Sequence, residues 1–112
     1  MDLHFKTEKL ANECNNTRLL QRTYGDQRAK LMRRRLDSLR AAVTLADLRN
    51  LPGRLHELKG DRKWQLSFDL DGPNRLIFVA NHHPVPTHPD GGMDWSQITA
   101  VTILGVEDTH AS

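Results

Sequence analysis

"RLHELKGDRKWQLSFDLDGPNRLIF", residues 54–78, decides how the chain folds. Its apolar residues recur with period two: Trp64, Leu66, Phe68 and Leu70 occupy alternate positions, which predicts a strand over 64–70 with one apolar face. "RLHEL" at 54–58 predicts a strand before it, with "GDRK" as the turn between them. "DGPN" at 71–74 predicts a tight hairpin, because Gly72 tolerates positive φ and Pro73 fixes its own. The "RLIFVA" that follows, and "QITAVTILGV" at 97–106, are apolar on nearly both faces, as central strands covered on both sides must be. Packing alone gives no reason to set His56 and Lys59 into such a sheet.

Upstream the period changes. "DLHF" at 2–5 predicts a short opening strand with Leu3 and Phe5 on one side, and Thr7 an N-cap for a helix running to about Tyr24. Leu10, Cys14 and Leu20 form its apolar stripe, interrupted by "NECNN", and Gly25 is placed to end it in a left-handed conformation. Asp26 is the expected cap of a second helix, in which Ala29, Met32, Leu36, Leu39 and Val43 recur at steps of three and four. Thr44 and Asp47 have the spacing of a capping box for a short third helix, stopped by Pro52 and Gly53. Helices followed by strands predict an α+β domain, its N-terminal helices packed on an antiparallel sheet. The fifteen residues "NHHPVPTHPDGGMDW" at 81–95 are a longer connection than compact domains usually carry, and Trp95 is expected to dock them.

A chain of 112 residues with 38% hydrophobic content supports one domain and one modest core. The single Cys14 excludes an internal disulfide and a zinc ribbon, which suits a reducing compartment, and is expected to be buried. There is no apolar run of signal-peptide or membrane-spanning length, so the expectation is a cytoplasmic protein with no membrane association. His82, His83 and His88 have no cysteine and only Asp90 nearby, so they read as loop residues with no metal site and no cofactor.

Charge is distributed unevenly. Residues 1–63 carry 15 Lys/Arg against 8 Asp/Glu, and residues 64–112 carry 1 against 6. That asymmetry suits an anionic partner, nucleic acid above all, contacted mainly by the first half. Arg28, Lys30, Arg33, Arg34 and Arg35 on the second helix, with Arg62 and Lys63 in the turn, are the candidate RNA- and ribosome-binding cations. The same helix could instead be the face covered by an acidic partner segment, or merely a solvated surface.

A sheet that brought His56, Lys59 and Arg75 near the "EDTH" of residues 107–110 would gather two imidazoles, two permanent cations and a carboxylate. Phosphodiester cleavage without a metal needs that set: a base for the attacking hydroxyl, an acid for the leaving oxygen, and cations for charge building on phosphorus. In RNA the neighbouring 2′-OH can attack, so no protein nucleophile is required.

The same residues carry a resemblance. "LPGRLHELKGDRKWQLSFDLDGPNRLIF" and the closing "ILGVEDTH" resemble the HigB branch of the RelE/ParE toxins, the plasmid-maintenance killer proteins, whose members read RLHELKGDRKG, then an Arg after the hairpin, then a terminal DYH. The resemblance implies a RelE/ParE-like fold and a type II toxin paired with a HigA-like helix-turn-helix antitoxin in a hetero-oligomer. It also implies a ribosome-dependent endoribonuclease that cuts mRNA and arrests translation. Carried onto this chain it makes His56, Lys59, Arg75, Asp108 and His110 the catalytic candidates. The two histidines would transfer protons, Asp108 would act as base or orient a ring, and Lys59 and Arg75 would stabilise the phosphorus. Thr109 stands where the family has Tyr, and the 81–95 loop is longer than in compact members. The rival reading is a protein of the same fold that acts by binding alone, as a gyrase poison or a degenerate toxin that only pairs with its antitoxin.

Overall fold

Strands form where the alternation is strict, and the hairpin turn fixes their register. The computed structural model describes residues 1–108, which build an α+β domain of three α-helices and five strands. In chain order these are β1 (Asp2–Phe5), α1 (Glu8–Cys14), α2 (Thr17–Tyr24), α3 (Asp26–Ala41), β2 (His56–Glu57), β3 (Gln65–Asp69), β4 (Asn74–Ala80) and β5 (Ala100–Asp108). Short 3-10 turns occupy Leu45–Leu48 and Trp95–Gln97. Among the described residues no helix is long and apolar enough to cross a membrane.

The strands lie in the order β1-β5-β4-β3-β2. β2 to β5 pair antiparallel, but β1 pairs with β5 in parallel, Leu3 opposite Val101 and Phe5 opposite Ile103. The sheet is therefore mixed, not purely antiparallel as expected. A strand that opens the chain and leads straight into helices has no hairpin to force it antiparallel, and it takes the free edge beside the last strand.

The expected first helix is two. Thr7 caps α1, its hydroxyl accepting the N–H of Leu10 at 3.1 Å, but the chain breaks at Asn15 and Asn16. Asn16 Oδ1 then accepts the N–H of Leu19 at 3.0 Å and starts α2, because a side-chain amide next to its own backbone competes with helix continuation. Gly25 has φ +84 and ψ 160, an extended positive-φ conformation, and both ends α2 and precedes α3. Asp26 is thus the first residue of α3, not its cap.

α3 buries Ala29, Met32, Leu36 and Leu39. Val43, expected on that stripe, is 76% exposed, because the helix ends at Ala41 and Ala42 turns extended. Asp47 accepts the N–H of Thr44 and Val43, the carboxylate half of the expected capping box.

Leu66, Phe68, Leu76 and Phe78 point from β3 and β4 into the core against Leu20, Met32 and Leu36, and each such fully buried side chain contributes about 1.5–3 kcal/mol. Phe68 and Phe78 meet edge to face, 6.4 Å between centroids. The expected strand at 54–58 contracts to His56–Glu57. Trp64 leaves the strand altogether, held at φ +71 in the turn. Cys14 is buried, and burial pushes its thiol up to about 11.

The 81–95 loop is anchored at both ends. His82 Nε2 accepts the N–H of Thr99 at 3.0 Å, and buried Trp95 donates its indole N–H to Glu57 at 3.0 Å, with the Arg49 guanidinium 4.7 Å over its ring. Trp95 docks the loop as expected.

Candidate functional site

Alternation sends every second residue of β3 and β4 away from the helices. Gln65, Ser67 and Asp69 therefore share the outer face of the sheet with Arg75, Ile77 and Val79, through the pairs Gln65–Val79, Ser67–Ile77 and Asp69–Arg75; this face is open towards its two ends, and its middle rung, Ser67 and Ile77, is buried. β5 extends these rungs with Thr102, Gly105 and Glu107, and β2 sets His56 opposite Ser67.

On that face lies a pocket of about 430 Å³ lined by Arg54, His56, Leu58, Lys59, Arg62, Ser67 and Arg75. His56, Lys59 and Arg75, singled out in the sequence, thus converge, and Arg62 joins them from the residues expected to bind RNA. Arg54, Leu58 and Ser67 complete the walls.

Each cation is held differently. Arg75 is the most buried, its side chain 16% exposed. Its Nη1 donates to the carbonyls of Gly72 at 2.7 Å and Asn74 at 2.9 Å. Its Nε lies 2.8 Å from Asp69 Oδ1, outside hydrogen-bond direction, so that contact is an ion pair. The other oxygen of Asp69 accepts from Arg54 Nε at 2.7 Å, which leaves one carboxylate between two guanidiniums. Arg62 pairs with Glu107, whose hydrogen bond raises the arginine's pKa. The Lys59 ammonium is exposed and makes no ion pair among the described residues. Four permanent cations against two carboxylates leave the pocket positive.

His56 is exposed, and its Nδ1 lies 3.0 Å from the carbonyl oxygen of Arg54. A carbonyl only accepts, so Nδ1 carries the proton in that bond and Nε2 is the nitrogen left to exchange one.

Asp108 does not share the pocket. It pairs in register with Asn74 and, by alternation, falls with Val106 on the helix side. There it is a minor contributor, after the Asp71 hydrogen bond, to the raised pKa of Arg28. His110 lies outside the described residues. The carboxylates that do meet the pocket cations are Asp69 and Glu107. The sequence signal for them was their parity with Arg75, usable only once the hairpin register is known.

The basic helix lies behind the sheet, and its cations do not form one surface. Arg28 is spent on Asp71, at 2.9 and 3.3 Å, and Arg35 donates to the backbone oxygen of Asp69 at 2.8 Å with its guanidinium 5.3 Å from the centre of the Phe68 ring. Burial lowers the Arg35 pKa. Arg33 is half-buried, and Lys30 and Arg34 are exposed. The Lys63 ammonium lies 4.6 Å over the Trp64 ring.

Among the described residues no cluster of three or more His, Cys, Asp or Glu is placed to hold a metal ion. No protein-family model and no curated protein matches this chain.

Proposed function

We propose that the chain is the toxin of a type II toxin-antitoxin pair, a RelE-like, HigB-type endoribonuclease that cuts mRNA on the ribosome and is restrained by a HigA-like helix-turn-helix antitoxin. The observation that carries this reading is the convergence of His56, Lys59 and Arg75, with Arg54 and Arg62, in one positive pocket on the open sheet face. In this reading His56 Nε2 takes the proton of the ribose 2′-OH as that oxygen attacks the adjacent phosphorus. Lys59 moves onto the non-bridging oxygens, and Arg75, already fixed by Asp69 and two carbonyls, supplies a preorganised positive field as charge accumulates. The P–O5′ bond breaks to give a 2′,3′-cyclic phosphate. His110 is the group assigned to protonate the departing 5′ oxygen, and Lys30 and Arg34 add contacts to ribosomal RNA phosphates.

One observation favours the binding-only rival: Arg75 and Arg62 are already paired with Asp69 and Glu107, which lowers the charge they offer to a phosphate. Brief induction of the wild-type chain and of His56→Ala in a bacterial host, followed by mapping of mRNA 5′ ends, separates the two. Codon-phased cuts that vanish in His56→Ala support the nuclease. Growth arrest without cuts, or equal arrest by the variant, moves the reading to a binding target.

A further inference from the structure

The basic pocket is not the only cavity on the open face. A second, of about 650 Å³, lies at the far end of β4, with Trp64, Val79, Pro84 and Val85 as apolar walls and Asn81, His82, His83, Thr87 and Thr102 supplying polar groups. The rungs of the sheet place it: Thr102 and Val79 occupy the same face as Ile77, Arg75 and Glu107. From Arg75 to Val79 is four residues of β4, roughly 13 Å at about 3.3 Å per residue, a distance an RNA strand covers within a few nucleotides. Between the two cavities stands Arg62, which donates to Gln65 at 3.0 Å on the Val79 rung and pairs with Glu107 on the Arg75 rung.

Trp64 is the decisive residue of this second cavity. It sits at φ +71, a region bulky side chains rarely adopt, at a cost of about 1–3 kcal/mol that local packing must offset. The conformation takes the indole out of the strand alternation and leaves it half-buried, packed against the edge of the core and forming part of the cavity wall, where period two would have placed it inside. The Lys63 ammonium rests 4.6 Å over its ring, so a base stacks there by displacing that flexible side chain, and the aromatic surface and the cation then lie side by side, the pairing that single-stranded nucleic acids use. The Asn81 carboxamide beside it makes no hydrogen bond among the described residues and offers both a donor and an acceptor.

We infer that this second cavity is a nucleobase subsite, in which Trp64 stacks on an unpaired base of the RNA strand whose phosphate occupies the basic pocket, and Asn81 meets the base edge. The inference rests on the endoribonuclease reading for its ligand but concerns binding alone, so the two fail separately. Base–aromatic stacking is sequence-tolerant, so the site tells a base from no base before it tells one base from another.

The test is fluorescence anisotropy of the full chain with two labelled probes: a twelve-nucleotide single-stranded RNA, and a strand of the same length with abasic riboses. The expected result is that the RNA binds about tenfold more tightly than the abasic strand. Trp64→Ala should abolish that ratio without changing the abasic affinity, and Trp64→Phe should keep most of it. Thr102→Phe, which fills the cavity floor from β5 without touching the turn, should abolish it too and keeps the test decisive where Trp64→Ala does not fold. Lys59→Ala should weaken both probes equally. Equal binding of the two probes, no binding of either, or a ratio that survives both Trp64→Ala and Thr102→Phe overturns the subsite. Absence of mRNA cuts after induction of the wild-type chain, with the binding ratio intact, overturns the nuclease reading alone.

Discussion

Arg62 and Glu107, forty-five residues apart in sequence, are joined by two parallel hydrogen bonds of 2.9 and 2.5 Å across the open face of the sheet. Gln65 on β3 accepts from the same guanidinium and Glu107 belongs to β5, so the side chain passes over β4 between them. Two-pronged pairing makes this the best-directed ion pair at the pocket. It also neutralises a cation that a phosphate would otherwise meet.

Glu107→Gln keeps the shape of the side chain and removes its charge. With the partners 34% and 43% exposed, the loss of stability should stay near or below about 1 kcal/mol. The freed Arg62 should bind single-stranded RNA more tightly, and the slope of log affinity against log salt should steepen by about 0.7, one phosphate contact. Anisotropy titrations at several salt concentrations measure it. An unchanged slope would mean that Arg62 is a brace for the sheet and does not reach the nucleic acid.

Gly53 is required by contact and by conformation together. At φ +114 a β-carbon there would stand 2.5 Å and 2.7 Å from ring carbons of Phe68 and 2.9 Å from Arg35 Nε, and the Gly53 carbonyl accepts the N–H of Asp69 at 2.7 Å. Gly53→Ala should cost at least about 2 kcal/mol, combining overpacking with left-handed strain. Gly60, at φ +75 with nothing within 4 Å of the added carbon, carries only the strain, so Gly60→Ala should cost about 1 kcal/mol. Urea midpoints of the two variants compare them, and a Gly53→Ala no worse than Gly60→Ala would contradict the close approach.

What the sequence made legible was local. Leu66, Phe68 and Leu70 announce a face by alternation, "DGPN" announces the turn, and the stripe Ala29–Met32–Leu36–Leu39 announces a buried helix face, because each depends on neighbours within a few residues. His56, Lys59 and Arg75 could be named as a group from their resemblance to a family motif; strand pairing sets His56 and Arg75 on one face, and Lys59 joins them from the turn after β2. What stayed hidden depends on distant register. Asp69 and Glu107 become counterions only when Asp69–Arg75–Glu107 line up across three strands. Composition likewise counted the arginines of α3 without showing that Arg28 is spent on Asp71 and Arg35 on the Asp69 carbonyl. The break at Asn15–Asn16 was visible as a weak stripe, but only the cap geometry of Asn16 makes it a second helix start.

The docking of the 81–95 loop should fade in acid through Asp94. This carboxylate is buried and accepts from Ser96 N at 3.1 Å, Ser96 Oγ at 2.6 Å and Gln97 Nε2 at 2.9 Å, closing the turn that presents Trp95 to the core. The Ser96 hydrogen bond is the main reason its pKa lies below the usual 3.8, burial opposing it. A folded pKa below the unfolded one means that the stabilisation is complete above about pH 4 and is lost as pH falls through the folded value. Asp94→Asn removes the titration and one charged acceptor, so the variant should be less stable than wild type at pH 7, with the gap narrowing between pH 4 and pH 2. Urea unfolding followed by tryptophan fluorescence at the two ends of that range measures the gap, and taking the difference between variant and wild type cancels the other carboxylates, Asp71 among them. A gap of the same size at pH 4 and pH 2 would show that the Asp94 carboxylate does not hold the turn by its charge.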